Sequence, residues 1–212
     1  VGHGRPGSVA PERTAGVGSE PGRDWRALPT ELVLTNRVRL TVEMPGPRLY
    51  VARLEPYRLS DLDRWLTRIR AHPLVEITPI GKTVLGRRLE IVRLGSPQSP
   101  HRVFLRARAH PWESGGNWVV EGLVDRLLRD DAGARKYLGR YAVYILPLAN
   151  KDGVARGLTR FNTLGMDLNR NWDRPAAAEL APENAALEKW LADRIENGQR
   201  PNLALDLHND GG

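Results

Sequence analysis

The 212-residue sequence contains no cysteine, which excludes a disulfide framework and any metal site built on thiolates. A metal ion would have to be held by histidine and carboxylate side chains. No run approaches the 18 consecutive apolar residues of a membrane-spanning helix, so we expect no membrane partner. The 32 basic residues exceed the 25 acidic ones, for a net charge of +7, but the arginines are scattered and we expect no nucleic-acid partner.

The amino-terminal part of the chain differs in composition from the rest. Residues 1–30 are rich in glycine and proline and poor in large apolar residues, which predicts a disordered tail or linker. Short alternating runs within residues 31–55, on either side of Pro45-Gly46-Pro47, predict two or three strands. The chain begins with Val1 and shows no signal peptide, and the sequence leaves the compartment open.

From residue 56 to residue 212, strand patterns alternate with helix patterns. This alternation predicts an α/β fold with a sheet flanked by helices. In the second predicted helix, Trp118, Val119, Gly122, Leu123 and Leu127 are expected to form the apolar stripe. We predict strands over residues 75–83, 88–94, 102–109, 141–148 and 202–207, and helices over 60–72, 114–128 and 182–196.

Two histidines follow predicted strands. His110 comes directly after the strand over 102–109, with Glu113 three residues later, and His208 comes directly after the strand over 202–207. Reactive groups in α/β sheets gather where strands end. Two imidazoles and one carboxylate are the ligand set of a catalytic zinc site, although a lone His-x-x-Glu pattern also arises by chance.

Residues 149–174 form a long segment with little periodicity, and such segments are usually functional. Within it, Asn169 and Arg170 offer amide and guanidinium donors suited to a carboxylate. The alternative is a self-satisfied loop network in which arginine pairs with Asp167 or Asp173.

Taken together, the motifs of this chain resemble the M14 zinc carboxypeptidase family, and most of all its cytosolic carboxypeptidase branch, which includes deglutamylases. The resemblance covers about residues 37–210. It rests on His110-Pro111-Trp112-Glu113, Asn150-Lys151-Asp152-Gly153, Arg160, Asp167-Leu168-Asn169-Arg170, Leu207-His208, and the junction-like Glu55-Pro56-Tyr57-Arg58.

The resemblance implies a role for each matching residue. His110, Glu113 and His208 would ligate Zn²⁺, which lowers the pKa of bound water and polarises the scissile carbonyl. Asn169 and Arg170 would bind the free carboxylate of a peptide or protein C-terminus. Arg160 would stabilise the oxyanion. Asp167 would hold the ring nitrogen of His110 that does not bind the metal. Asp206 would either support the site or cap a strand.

The resemblance also implies an incomplete chain. Residues 31–55 would be the remnant of an N-terminal β-domain, and residues 56–212 a partial, truncated zinc carboxypeptidase domain with a mixed sheet. The general-base glutamate would lie beyond residue 212, so we expect at best weak activity from this fragment. Asn209 and Asp210 depart from the branch pattern after His208, and Lys151 stands where the family commonly has proline.

The expected function is a zinc metallocarboxypeptidase that removes C-terminal residues, with acidic residues favoured. Two alternatives stay open at this point. One is a zinc amidase or deacylase acting on small acylated amino acids. The other is a non-catalytic module that binds peptide C-termini, which the missing base and the surplus positive charge would favour.

Overall fold

The computed structural model describes residues 16–18, 25–33, 37–44 and 46–209. They belong to two compact units, one formed by Val1–Pro56 with Asp210–Gly212 and the other by Tyr57–Asn209. The division falls next to the domain boundary expected at residue 56. The assignment of the two parts as a β-domain remnant and a partial catalytic domain stays a prediction.

The first unit contains short antiparallel strands. Strand β1 (Gly16–Gly18) pairs with β2 (Trp25–Ala27) and β5 (Tyr50–Ala52), while β3 (Thr30–Val33) forms a hairpin with β4 (Arg37–Leu40). Strands β1 and β2 fall within residues 1–30, where the sequence predicts a tail or linker, and strand pairing satisfies their backbone groups. Residues 1–15 and 19–24 lie outside the described residues.

The second unit is built on a five-stranded mixed sheet, which confirms the predicted fold class. The spatial order is β10-β8-β9-β7-β6. Strand β8 runs parallel to β9 and β10, whereas β7 runs antiparallel to β9 and β6. The strands are β6 (Val75–Lys82), β7 (Arg88–Leu94), β8 (His101–Ala107), β9 (Tyr141–Leu146) and β10 (Leu203–Leu207).

Helices cover both faces of this sheet. Leu105 and Ile145 contribute to a core cluster with the buried residues of α1 and α2, and Phe104 and Tyr144 pack with Leu187 of α5 on the other face. Strand β9 is continuous in apolar and aromatic residues, as expected for a strand buried on both faces, whereas β8 also buries the charged Arg106. The helices are α1 (Leu59–Arg70), α2 (Gly115–Leu127), α3 (Ala132–Leu138), α4 (Lys151–Ala155) and α5 (Pro182–Glu196).

The buried side of α2 is not the expected one. Val120 and Val124 are buried, whereas Val119 is 57% exposed and Trp118 37% exposed. The reason lies at Gly116, where an added Cβ would lie 3.1 Å from Cβ of Leu207. This close approach turns Val120 and Val124 toward the sheet, so the expected stripe is wrong at Trp118 and Val119. It is right at its carboxyl end, where Leu127 is buried and Leu123 packs against the same core.

Two short helices were not expected from the sequence. Helix α3 begins after Asp131, whose side chain accepts a hydrogen bond from the Ala134 amide. Helix α4 lies inside the segment 149–174, which is therefore less irregular than expected. Both are too short for a periodic pattern to stand out. None of the described helices is both long enough and apolar enough to cross a membrane.

Candidate metal centre

The three parallel strands end at the same edge of the sheet. His110 follows β8, Asn150 follows β9 and His208 follows β10. The backbone amides of Ala149 and Asn150 donate to the carbonyls of Ala107 and Arg108, at 3.0 and 3.1 Å. This pairing extends the ladder past β9 and holds the segment that leads to His110 in a fixed position.

The turn after β8 depends on a buried arginine. Arg108 has a φ of 62°, a conformation that L-residues rarely adopt. Its guanidinium donates to the carbonyl of Pro111 at 2.6 Å, to Oδ1 of Asn117 at 2.8 Å and to the carbonyl of Tyr57 at 3.3 Å. Burial lowers the pKa of Arg108 to about 10. These bonds stabilise a strained turn that brings Glu113 back beside His110.

His110, Glu113 and His208 converge on one point. Nδ1 of His110 lies 2.8 Å from Oε1 of Glu113, and Nδ1 of His208 lies 2.6 Å from Oε2 of the same carboxylate. The two imidazole centroids are 4.9 Å apart. The side chains of His110 and Glu113 are 5% and 6% exposed and that of His208 is 26% exposed, so the cluster is reached from the His208 side.

This donor set fits a zinc ion. One ligand atom from each of the three residues lies within 4.8 Å of the others. Zinc binds imidazole nitrogen and carboxylate oxygen at about 2.0–2.2 Å, so ligand atoms around one ion lie within about 4 Å of each other. Small side-chain adjustments would therefore bring all three atoms into a single coordination sphere, and three protein ligands leave a position for water.

A carboxylate lies against Nε2 of His110, the ring nitrogen that points away from Glu113. Oδ1 of Asp167 lies 3.1 Å from Nε2 of His110, and Nε of Arg160 donates to Oδ2 of Asp167 at 2.7 Å. Burial raises the pKa of Asp167, but hydrogen bonds from the Asn169 amide, His110 and Arg160 outweigh it and hold this pKa below its ordinary value. The carboxylate of Asp167 therefore faces Nε2 of His110, while Nδ1 of the same ring faces Glu113.

Asn169 and Arg170 lie beside the cluster but are not equivalent in position. Nδ2 of Asn169 is 3.0 Å from Nε2 of His208, so this amide contacts the histidine directly. Arg170 is exposed and donates from Nη1 to the carbonyl of Asn169 at 2.7 Å. Together with Asp167 and Arg174, Arg170 lines a cavity of about 320 Å³ next to the cluster.

The segment Asn150–Gly153 supports the site without joining it. Asn150 donates from Nδ2 to the carbonyl of Ala109 at 3.2 Å and accepts from the Gly153 amide at 3.0 Å. The buried Asp152 accepts from the amide of Leu85, at 2.7 Å, and thereby ties the β6–β7 turn to α4. The side chains of Asn150 and Asp152 therefore hold neighbouring segments of the backbone in place.

Asn209 is a residue whose contribution the sequence did not reveal. Its Oδ1 accepts from the amide of Gly115 at 3.0 Å, and its own amide donates to Oε2 of Glu113 at 3.3 Å. Ser114 stands at the N-cap position of α2, yet its side chain makes no cap hydrogen bond. Asn209 therefore caps α2 from the end of another strand and helps to orient Glu113.

Residues 62–210 match the zinc carboxypeptidase family, Peptidase_M14. The chain belongs to this family. Members of the M14 family are zinc-dependent metallocarboxypeptidases, and the donor set His110, Glu113 and His208 lies within the matched region. The assignment of individual residues to metal and substrate stays a prediction at this point.

Named relatives and solved structures agree with the family match. Cytosolic carboxypeptidase 6 of Caenorhabditis elegans is 32% identical over 175 residues, covering 78% of this chain and 38% of that protein. A metallo-carboxypeptidase from Burkholderia cenocepacia superimposes with a TM-score of 0.79 at 31% identity, covering 93% of this chain and 52% of the other.

A third similar protein is a metallo-carboxypeptidase from Pseudomonas aeruginosa, solved in complex with (2-guanidinoethylmercapto)succinic acid. It aligns with a TM-score of 0.80 at 30% identity over 93% of this chain and 51% of its own. This M14 chain thus spans about half of these solved relatives.

Proposed function

We propose that the protein to which this chain belongs is a zinc-dependent carboxypeptidase that removes C-terminal amino acids from peptides or proteins and favours acidic ones. The observation that carries the proposal is the convergence of His110, Glu113 and His208 at the sheet edge, beside Asn169 and Arg170. Zinc held by these three residues would supply Lewis-acid polarisation of the scissile carbonyl and a water of lowered pKa.

Substrate binding is assigned to the donors beside the cluster. The Arg170 guanidinium has further N–H groups besides the one bonded to the Asn169 carbonyl, and a planar fork suits a terminal carboxylate. Asn169 would add an amide donor to the same carboxylate. Recognition of a carboxylate at this position would place the last peptide bond next to the metal ligands and select free C-termini.

Arg160 is assigned to the negative charge that develops on the carbonyl oxygen. Its bond to Asp167 uses only Nε, and a guanidinium carries four other N–H donors. Asp167 would thus serve two groups: it accepts from Nε2 of His110 and fixes the direction of Arg160. A pre-oriented cation of this kind stabilises an oxyanion because little reorganisation accompanies the reaction.

The preference for acidic residues rests on charge in the cavity beside the cluster. Arg170 and Arg174 both line it, while both carboxylates of the same lining are engaged, Asp167 by Arg160 and Glu188 by the Ala176 amide. The ligand of the similar Pseudomonas aeruginosa protein is itself a succinic acid derivative. Two cations around one cavity would accommodate a terminal carboxylate together with an acidic side chain.

The test is hydrolysis by the full-length protein of paired peptides that differ only in a free or amidated C-terminus. The full-length protein is required because the general-base glutamate is expected beyond residue 212, and we propose that the chain alone has at best weak activity. We expect zinc-dependent release of the last residue from the free acid only, faster when that residue is Glu or Asp than when it is neutral.

A pair of variants tests whether Arg170 binds the C-terminal carboxylate of the substrate. Arg170→Met should raise KM about 10- to 100-fold, since a charged hydrogen bond contributes about 1.5–3 kcal/mol. Arg140→Met is the matched control, because Arg140 precedes β9 at the opposite edge of the sheet. No zinc-dependent release from any peptide would remove the proposal. If the protein cleaves only N-acyl amino acids, it is an amidase instead. If it binds peptides without metal, it is a binding module.

A further inference from the structure

We propose that Arg106 and Asp206 form a positioning pair that orients His208 for metal binding and links this histidine to the loop of Asn169 and Arg170. The inference rests on the proposed function and extends it to two residues outside the expected ligand and substrate sets. Its basis is a chain of contacts that begins at His208 and ends in the loop.

The first contact joins Asp206 to His208. Side chains two residues apart on a strand point to the same side, and Oδ2 of Asp206 lies 3.1 Å from Nε2 of His208. The other ring nitrogen, Nδ1, is the one that faces Glu113. A partner on the far nitrogen of a metal-binding histidine fixes its tautomer and the direction of its ring.

The tautomer argument favours Asp206 as that partner. If Nδ1 of His208 is to bind a metal, the ring proton must sit on Nε2. A carboxylate accepts that proton, whereas Nδ2 of Asn169, which lies 3.0 Å from Nε2, is itself a donor. In the metal-binding tautomer, the proton on Nε2 would face Asp206, and the Asn169 amide nitrogen would then be available for a substrate carboxylate.

The second contact joins Asp206 to Arg106. The two residues are directly opposite each other in the β8–β10 ladder, and Nε of Arg106 lies 3.3 Å from Oδ1 of Asp206. The Arg106 side chain is only 3% exposed, and its Nε forms no hydrogen bond within the described part of the chain. A buried cation is costly unless it is paired, so the burial of Arg106 favours the orientation in which Asp206 faces it.

The third contact carries the chain into the substrate loop. Nη2 of Arg106 donates to the carbonyl of Leu168 at 2.9 Å, and its guanidinium carbon lies 4.9 Å from the ring centroid of Trp172. Leu168 and Trp172 flank Asn169 and Arg170 in the sequence. Arg106 thus supports one metal ligand and the carboxylate-binding loop at the same time.

The arrangement resembles the one on the other histidine. There, Arg160 donates to Asp167, which lies against Nε2 of His110. In both cases an arginine lies beside an aspartate and the aspartate faces the nitrogen that points away from Glu113, through hydrogen bonds at His110 and through ion pairs at His208. Of the two roles that the sequence left open for Asp206, the geometry favours support of the site over capping of a strand.

The test measures zinc affinity of the full-length protein by competition with a chelating indicator, a readout independent of catalysis. We expect Asp206→Ala to weaken zinc binding about 10- to 100-fold. Asp206→Asn, which keeps an acceptor, should weaken it less. Arg106→Met should also weaken zinc binding, and the double variant with Asp206→Ala should lose less than the product of the two single effects.

The β6–β7 ladder provides a matched control. Glu76 and Arg93 are directly opposite in that ladder and form an ion pair away from the cluster. Glu76→Gln and Arg93→Met should leave zinc affinity within about twofold of wild type. If zinc affinity fell only because a cross-strand pair was broken and stability was lost, it would fall in the Glu76 and Arg93 variants as well as in the Asp206 and Arg106 variants.

A second readout reports the histidine itself. NMR of ¹⁵N-histidine-labelled, zinc-free protein should show the fraction of His208 with its proton on Nε2 falling in Asp206→Ala. Should Arg106→Met fail to fold, Arg106→Lys replaces it, with an effect expected between wild type and Asp206→Ala.

The outcomes separate the two proposals. Unchanged zinc affinity and an unchanged tautomer in Asp206→Ala overturn the positioning pair and leave the proposed function standing. Failure of the wild-type protein to bind zinc overturns the proposed function and the pair with it.

Discussion

Gly153 lies where the first turn of α4 meets the turn that carries His110. An added Cβ at this position would lie 2.3 Å from Cγ of Pro111 and 2.6 Å from Oδ1 of Asn150. The proline ring has no freedom to move aside, and the Asn150 oxygen is the acceptor that caps α4. Gly153→Ala should therefore destabilise the protein and displace the segment beside the metal ligands.

The size of the effect follows from three contributions. Overpacking of a filled site costs about 1–3 kcal/mol. Loss of an N-cap hydrogen bond adds about 0.5–2 kcal/mol. The better helix propensity of alanine offsets up to about 1 kcal/mol. We expect a net decrease of about 2–3 kcal/mol in the free energy of unfolding, together with weaker zinc binding because Pro111 adjoins His110.

Urea unfolding of the zinc-free protein measures the first effect and chelator competition the second. Gly122→Ala is the control, since an added Cβ in this part of α2 would meet no atom within 4 Å. That variant should be more stable by about 0.5–1 kcal/mol. A Gly153→Ala protein within about 0.5 kcal/mol of wild type, with normal zinc affinity, would refute the reasoning.

Three further predictions concern acid stability, helix packing and the metal. Burial raises the pKa of Asp61, but hydrogen bonds from Arg58 outweigh burial and lower this pKa below its ordinary value. The stability that the Asp61 carboxylate contributes is therefore present above about pH 4 and is lost as the pH falls through the folded-state pKa. Asp61→Asn should flatten this loss of stability in urea titrations between pH 3 and 7. Val120→Ala should lower the free energy of unfolding, measured in urea, by about 2 kcal/mol, and Val119→Ala should lower it by less than about 0.5 kcal/mol. The reverse ranking would mean that the stripe expected from the sequence is the buried one. Zinc at a thousandfold excess over its Kd should stabilise the protein by about 4 kcal/mol in thermal unfolding, whereas Glu113→Gln should abolish most of this gain, and a chelator without effect on the wild type would contradict the site.

Long elements with a clear period were predictable from the sequence. The buried residues of α1, including Leu62, Trp65 and Ile69, recur at helical spacing, and β7 and α5 begin and end at the expected residues. Burial favours the same local geometry that the pattern encodes, so pattern and structure agree. The stripe on α2 could not be predicted in this way, because the close approach at Gly116 depends on which strand lies opposite.

The donor set of the candidate site was also visible in the sequence, as one part of the resemblance to the M14 family. His110 and His208 each follow a strand, and parallel strands bring their carboxyl ends to one edge whatever the distance along the chain. That rule needs only the order of strands and the type of residue after each. It does not say which neighbours orient those residues.

The neighbours are what tertiary structure alone decided. Arg106 contacts Asp206 a hundred positions away because β8 and β10 pair in one particular register, and Asn209 caps α2 from the end of another strand. No local pattern encodes such contacts, since they depend on strand order, register and the path of the loop together. The sequence by itself determined the family, the fold class and the three candidate ligands. The folded chain decided how those ligands are oriented, because orientation depends on hydrogen bonds between segments that meet only after folding.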